Sequence, residues 1–124
     1  MTNDAAALCE RSKQFAIRIV KLFRALPSRQ DAYVIGKQVL RSGTSVAANY
    51  RAACRARSRS EFVAKMGIVV EEADETIFWL ELMSDTEIVA AKRLTGLINE
   101  ADQLLRIFTA SKKTAERQRT KLER

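Results

Sequence analysis

The chain has 124 residues, 47% of them hydrophobic and 30% charged, with one proline and four glycines. That length suits one domain with its own core and no disulfide or metal staple, and the scarcity of proline and glycine argues against a turn-rich β-sandwich. The formal charge is +7 and histidine is absent, which points to polyanionic partners and removes the commonest general base and the usual transition-metal ligand.

The first segment, about residues 4–26, places Leu8, Ser12, Phe15, Ile19, Leu22 and Leu26 in alternating steps of four and three. This is the seam of a helix that packs lengthwise on another. Pro27 stops it, since proline lacks the N–H and disfavours helix in the residue before it. The second segment, about 28–55, opens on Ser28 as a plausible N-cap with Asp31 in its first turn. Its stripe is Ile35, Val39, Ser42, Val46, Asn49 and Ala53. Gly36 and Gly43 each weaken it by about 1 kcal/mol relative to alanine, a cost usually tolerated where another backbone comes close.

Ser58 and Glu61 have capping-box spacing and open the third segment, about 60–83, with Phe62, Met66, Val69, Ala73, Thr76, Leu80 and Met83 in register. Ser84 and Glu87 repeat that spacing before the fourth segment, about 86–111. Here Ala91, Leu94, Ile98, Ala101, Leu105 and Phe108 are joined by Leu97, Leu104 and Ile107, a wide apolar face. Residues 112–124, polar and basic, form either a frayed extension of that helix or a disordered tail. Four amphipathic segments with short breaks predict an all-α, antiparallel up-down-up-down four-helix bundle spanning residues 1–111.

The charge is zoned. Residues 1–59 hold twelve Lys/Arg and three Asp/Glu, and residues 60–111 hold four and ten. On the second helix, Lys37, Thr44, Arg51 and Arg55 lie opposite the buried direction, with Arg41 beside them; Arg57 and Arg59 carry the patch round the turn, and Lys112, Lys113 and Arg117 add to it from the tail. Such a face either tracks phosphates through bidentate arginines or is a solvated face paired with acidic groups of a neighbouring subunit. Asn49 and Ser42, polar residues on an apolar stripe, are expected to fix helix register or oligomeric state. Phe78, Trp79 and Leu80 cannot share one core, so at least one, with Trp79 the candidate, is expected to meet another helix or subunit. The acidic cluster Glu71, Glu72, Asp74 and Glu75 reads as a solvated or subunit-pairing face rather than a metal site, because bundle di-metal centres use Glu-x-x-His. Cys9 and Cys54, without CxxC spacing, are expected to be reduced buried or half-buried thiols, with a disulfide or a reactive thiol as the alternative. No secretory signal or membrane-length apolar run is seen, so a cytoplasmic protein without a membrane partner is expected.

Several short motifs occur in a fixed order: Phe15-Ala16, Leu26-Pro27, Gln38 to Ser42 as Gln-x-x-Arg-Ser, Ser45 to Asn49 as Ser-Val-x-Ala-Asn, Arg57-Ser58-Arg59-Ser60-Glu61-Phe62, Glu75, and Trp79-Leu80. Together they resemble the bacterial "four helix bundle protein" family, also called the 23S ribosomal RNA intervening-sequence protein family, over about residues 12–110. The resemblance implies an antiparallel four-helix bundle assembled as a ring-shaped homopentamer, with no enzymatic activity and no cofactor. Some members are encoded within intervening sequences of large-subunit rRNA genes, and a related branch serves diversity-generating retroelements beside nucleic acid and a reverse transcriptase. Many members have Glu-Gly after the Ala-Asn, where this chain has Tyr50-Arg51-Ala52-Ala53, a base in place of an acid. The expected function is therefore a non-enzymatic homo-oligomeric bundle that binds structured RNA or another nucleic acid through its basic surface. The alternative is a protein-interaction scaffold whose charge zoning serves assembly.

Overall fold

A computed structural model describes residues 3–123 of the chain. Four helices follow one another, α1 (Asn3–Arg24), α2 (Gln30–Cys54), α3 (Arg59–Asp85) and α4 (Ala91–Glu123), with no strand among the described residues. Each packs extensively on its neighbour in the chain, α1 on α2, α2 on α3 and α3 on α4, whereas α1 meets α4 only sparsely. The result is the antiparallel all-α bundle that the periodicity predicts, with a thin seam between its first and last helices.

The core stripes of α1 and α3 follow the sequence pattern. Ser12, Phe15 and Ile19 are buried on α1, and Val63, Met66, Val69, Ala73, Thr76, Leu80 and Met83 on α3. On α2 the buried set is wider and rotated: Ala32, Gly36, Val39, Ser42, Gly43, Val46, Tyr50 and Ala53. Ile35 and Asn49, expected at its centre, are half-buried at its flank. The reason is that α2 is covered on two sides. Toward α1, a Cβ on Gly43 would lie 2.8 Å from Ile19 Cγ1, and one on Gly36 would overlap Leu26 Cδ1. Toward α3, the buried Thr76 hydroxyl reaches Ser42 Oγ at 2.9 Å, while Ser42 donates to the Gln38 carbonyl at 2.9 Å. Ser42, rather than Asn49, makes the polar contact across helices. The Asn49 amide turns back on its own helix, to the Ser45 carbonyl (2.9 Å) and hydroxyl (2.7 Å).

The helix ends correct three boundaries. Ser28 does not cap α2; Arg29 stands at the N-cap without a side-chain cap, and Asp31 accepts from the Ala32 N–H at 2.8 Å. Ser58 does cap α3, accepting from Glu61 N at 3.0 Å, and Glu61 reaches back to the Arg57 N–H. Ser84 and Glu87 form no capping box, because α3 runs through Ser84 and ends in a Schellman motif. Glu87 N donates to Ser84 O and Ile88 N to Met83 O, with Glu87 in the left-handed region at φ 61°. Ile88 and Val89, each 6% exposed, plug this end of the core. Helix α4 accordingly starts at Ala91 rather than near residue 86, and it continues through residues 112–123. Ala115 is buried there, and the Arg59 guanidinium donates to Gln118, holding the extension along the first turn of α3.

Candidate nucleic-acid interface

Antiparallel packing sorts the charge more sharply than the sequence zones suggest. One end of the bundle gathers the beginnings of α1 and α3 and the last turns of α2 and α4. The segments there, residues 3–13, 51–65 and 112–120, hold eleven Lys/Arg and four Asp/Glu. The other half, residues 14–50 and 66–111, holds nine and ten. In that half the basic stretch 14–50 meets the acidic stretch 66–111, and there the charges nearly cancel. Arg41 spans the two helices, meeting Glu72 at 3.3 Å and also pairing with Glu75. Glu75 further accepts from Trp79 Nε1 at 3.2 Å. Glu72 and Glu75 of the acidic cluster thus neutralise Arg41 of their own chain.

The predicted basic residues therefore divide. Lys37 lies at the neutral end, its ammonium 5.0 Å above the Tyr33 ring, and Arg41 is committed to α3. Arg51 and Arg55 do come together, on a cavity of about 490 Å³ between α1 and α2. Its floor is apolar, from Ala6, Ala47 and Ala48, and Lys13 and Glu10 stand on the α1 side. Glu10 is occupied by Gln14 at 2.9 Å. Lys13, Arg51 and Arg55 form no ion pair among the described residues. Arg57 is exposed in the α2–α3 turn, and Arg59, the exposed first residue of α3, donates to Gln118. Lys112 is tied to Glu116 at 2.5 Å, while Lys113 and Arg117 stand exposed on the α4 extension. Nothing in the α1 pattern singles out Lys13, since its role comes from the helix it faces.

The two cysteines meet at this same end. Cys9 Sγ lies 3.7 Å from Cys54 Sγ across the α1–α2 interface, and both residues are half-buried. Burial and the Cys54 thiol push the Cys9 thiol up from 9.0 to about 11, although Arg51 and Arg55 oppose this. Burial, with Cys54 beside it, also raises the Tyr50 phenol, whose ring packs 5.1 Å from that of Phe108. Across the thin α1–α4 seam, Arg11 forks onto Glu100 at 2.9 and 2.6 Å. This hydrogen bonding holds the Glu100 carboxyl below the usual carboxylate range. Among the described residues no three His, Cys, Asp or Glu side chains gather as a metal site, and no helix is long and apolar enough to cross a membrane.

Comparison with known proteins follows this geometry. No curated protein matches the sequence. The fold is similar to the 1.70 Å crystal structure of a protein with unknown function from the S23 ribosomal protein family of Bacteroides thetaiotaomicron VPI-5482. The two share 37% identity and a TM-score of 0.82, over 88% of this chain and 97% of that one. The family model described as 23S rRNA-intervening sequence protein matches residues 5–110, and the chain belongs to that family.

Proposed function

We propose that the protein is a non-enzymatic nucleic-acid-binding bundle that grips structured RNA with its basic end. The observation that carries this reading is the separation of charge. Nearly all the net positive charge stands at one end, and its central cations, Lys13, Arg51 and Arg55, have no acidic partner among the described residues. Phosphate oxygens are the natural counter-charge for forked guanidinium groups, and a concentrated patch releases counterions when it binds. The family description, which names 23S rRNA, and the S23 ribosomal protein family of the structural relative support RNA over other polyanions. Contacts of this kind follow backbone shape, so affinity should depend little on base sequence.

The test is a salt titration with a labelled RNA hairpin, comparing wild type with Lys13, Arg51 and Arg55 all changed to alanine. The expected loss at moderate salt is roughly tenfold or more, with a salt slope shallower by about three. The control removes equal charge at the other end, Lys21, Arg24 and Lys92 to alanine, and should bind nearly as wild type. Equal losses in the two variants would show that the charge acts diffusely and would overturn the assignment.

Self-association is a second reading with its own observation. Phe78, Tyr33 and Val34 are 57%, 58% and 54% exposed, and all lie toward the near-neutral end, where little charge opposes contact. We propose that this end carries contacts between copies in the ring that the family resemblance implies. Light scattering should then show an oligomer that Phe78→Asp dissociates; a wild-type monomer would sink the reading.

A further inference from the structure

The whole chain has two cysteines, 45 residues apart in sequence and 3.7 Å apart between sulfurs. A disulfide needs about 2.05 Å between sulfurs and Cα atoms roughly 4.4–6.8 Å apart, so closure requires each sulfur to move by less than an ångström or so. Cys54 is the last residue of α2, where the chain leaves the helix and can yield. The two thiols also open on different sides. Cys9 lines the α1–α2 cavity with Lys13, Arg51 and Arg55. Cys54 lines a second cavity of about 510 Å³ with Leu8, Tyr50, Phe62 and Ile107. A small disulfide entering the first cavity meets Cys9 among three cations and one carboxylate, Glu10, which is held by Gln14, with Cys54 directly behind it.

We propose that Cys9 and Cys54 are a redox-active dithiol, which carboxylate-bearing small disulfides of the glutathione type oxidise to an intramolecular disulfide clamping α1 to α2. The Cys9 thiolate attacks one sulfur of the small disulfide, forming a mixed disulfide and releasing one small thiolate. The Cys54 thiolate then attacks the Cys9 sulfur and releases the second. Two protein thiols are oxidised by two electrons, and the small disulfide is reduced to two small thiols that take up the two protons. Lys13, Arg51 and Arg55 hold the carboxylates of the incoming reagent, which gives anionic disulfides their advantage over cationic ones. Because burial keeps the Cys9 thiol mostly protonated at neutral pH, the reaction is slow there and quickens as pH rises. The inference shares Lys13, Arg51 and Arg55 with the RNA reading but stands or falls separately, since thiol oxidation is read without RNA.

The experiment treats the full chain with oxidised glutathione at pH 8.5 and follows intact mass, free thiols and non-reducing electrophoresis. The expected product is a species two hydrogens lighter, with both thiols gone and no cross-linked chains. Cys54→Ser should stop at a stable glutathione adduct on Cys9, and Cys9→Ser should leave Cys54 largely unmodified over the same time. Cystamine, which is cationic, should react at least several-fold more slowly than oxidised glutathione. The closed form should melt higher by roughly 10 °C, as expected for a crosslink spanning this length of chain. A persistent adduct on the wild type, disulfide-linked dimers, thiols that stay free, or no rise in Tm would each overturn the proposal. Faster modification of Cys54 in Cys9→Ser than of Cys9 in Cys54→Ser would overturn the assigned order of attack.

Discussion

Replacing Gly43 by alanine adds one methyl group where α1 rests on α2. That methyl would sit 2.8 Å from Ile19 Cγ1, 3.0 Å from Cγ2 and 3.2 Å from Cδ1. Both γ carbons hang on one Cβ, so no rotation about χ1 withdraws both, and Ile19 is 0% exposed with no free space to enter. The helix gains about 1 kcal/mol in propensity from the change, while overpacking a close-packed core costs about 1–3 kcal/mol. The net expectation is a loss of about 1 kcal/mol and a Tm lower by roughly 4 °C. Gly67→Ala makes the same gain in propensity, but its methyl meets only Lys112 Cε at 3.5 Å, the end of a flexible chain. It should therefore raise Tm by a similar amount. Thermal and urea unfolding followed by far-UV circular dichroism, at one protein concentration, measures both. In a double-mutant cycle, Ile19→Ala and Gly43→Ala together should cost less than the sum of the single changes by about 1 kcal/mol. If Gly43→Ala stabilises as much as Gly67→Ala, the close approach of α1 to α2 is refuted.

Three further outcomes are expected. Glu100 titrates below its ordinary value in the folded state because Arg11 binds its carboxylate, so its contribution is present near neutral pH and lost as pH falls below the usual carboxylate range. Glu100→Gln should cost about 1 kcal/mol at pH 7 and flatten the acid limb in urea midpoints measured between pH 3 and 7. The Cys9 thiol and Tyr50 phenol are both raised, so the stability they contribute is whole below their ordinary values and is lost as pH climbs, through about 11 for Cys9 and higher still for Tyr50. Tyr50→Phe, which keeps the ring against Phe108, should make alkaline unfolding less steep; an unchanged alkaline limb in both Tyr50→Phe and Cys9→Ala would contradict the burial of these groups. Glu87 occupies the left-handed position of the Schellman turn, so Glu87→Gly should stabilise by about 0.5–1 kcal/mol; destabilisation in the same melt would argue against that turn.

The four helices were legible because their apolar residues keep a strict helical period, and periodicity needs no knowledge of neighbours. What a one-helix pattern cannot hold is the number of partners a helix has. The α2 periodicity alone points to the side of Ile35 and Asn49, whereas contact with both α1 and α3 turns Gly36, Gly43 and Tyr50 into the core and leaves those two at its flank. Ser84 and Glu87 matched a start signal, yet a polar pair at that spacing also occurs at the end of a helix, and hydrogen bonding from Ile88 decides between the two. At the candidate interface, Arg51 and Arg55 were visible as a charged face. That Arg41 is neutralised, that Lys13 joins the arginines and that Cys9 reaches Cys54 depend on which residues antiparallel packing sets at the same height, information that no single segment carries.

Every broad interface in the bundle joins helices that are consecutive in the chain, and only the α1–α4 seam brings the ends together. Folding can then proceed by laying each new helix on the one before, with little loop entropy to overcome, a topology associated with fast folders. The same wiring ranks the helices by protection. Helices α2 and α3 are each covered by two partners, whereas α1 is held chiefly by α2 and by Arg11, which reaches Glu100 and Gln103 on α4. Its amides should be the first to exchange with deuterated solvent in cooperative openings that leave the other three helices folded. The element lost in those openings carries Cys9 and Lys13, so one wall of the α1–α2 cavity is also the part that breathes.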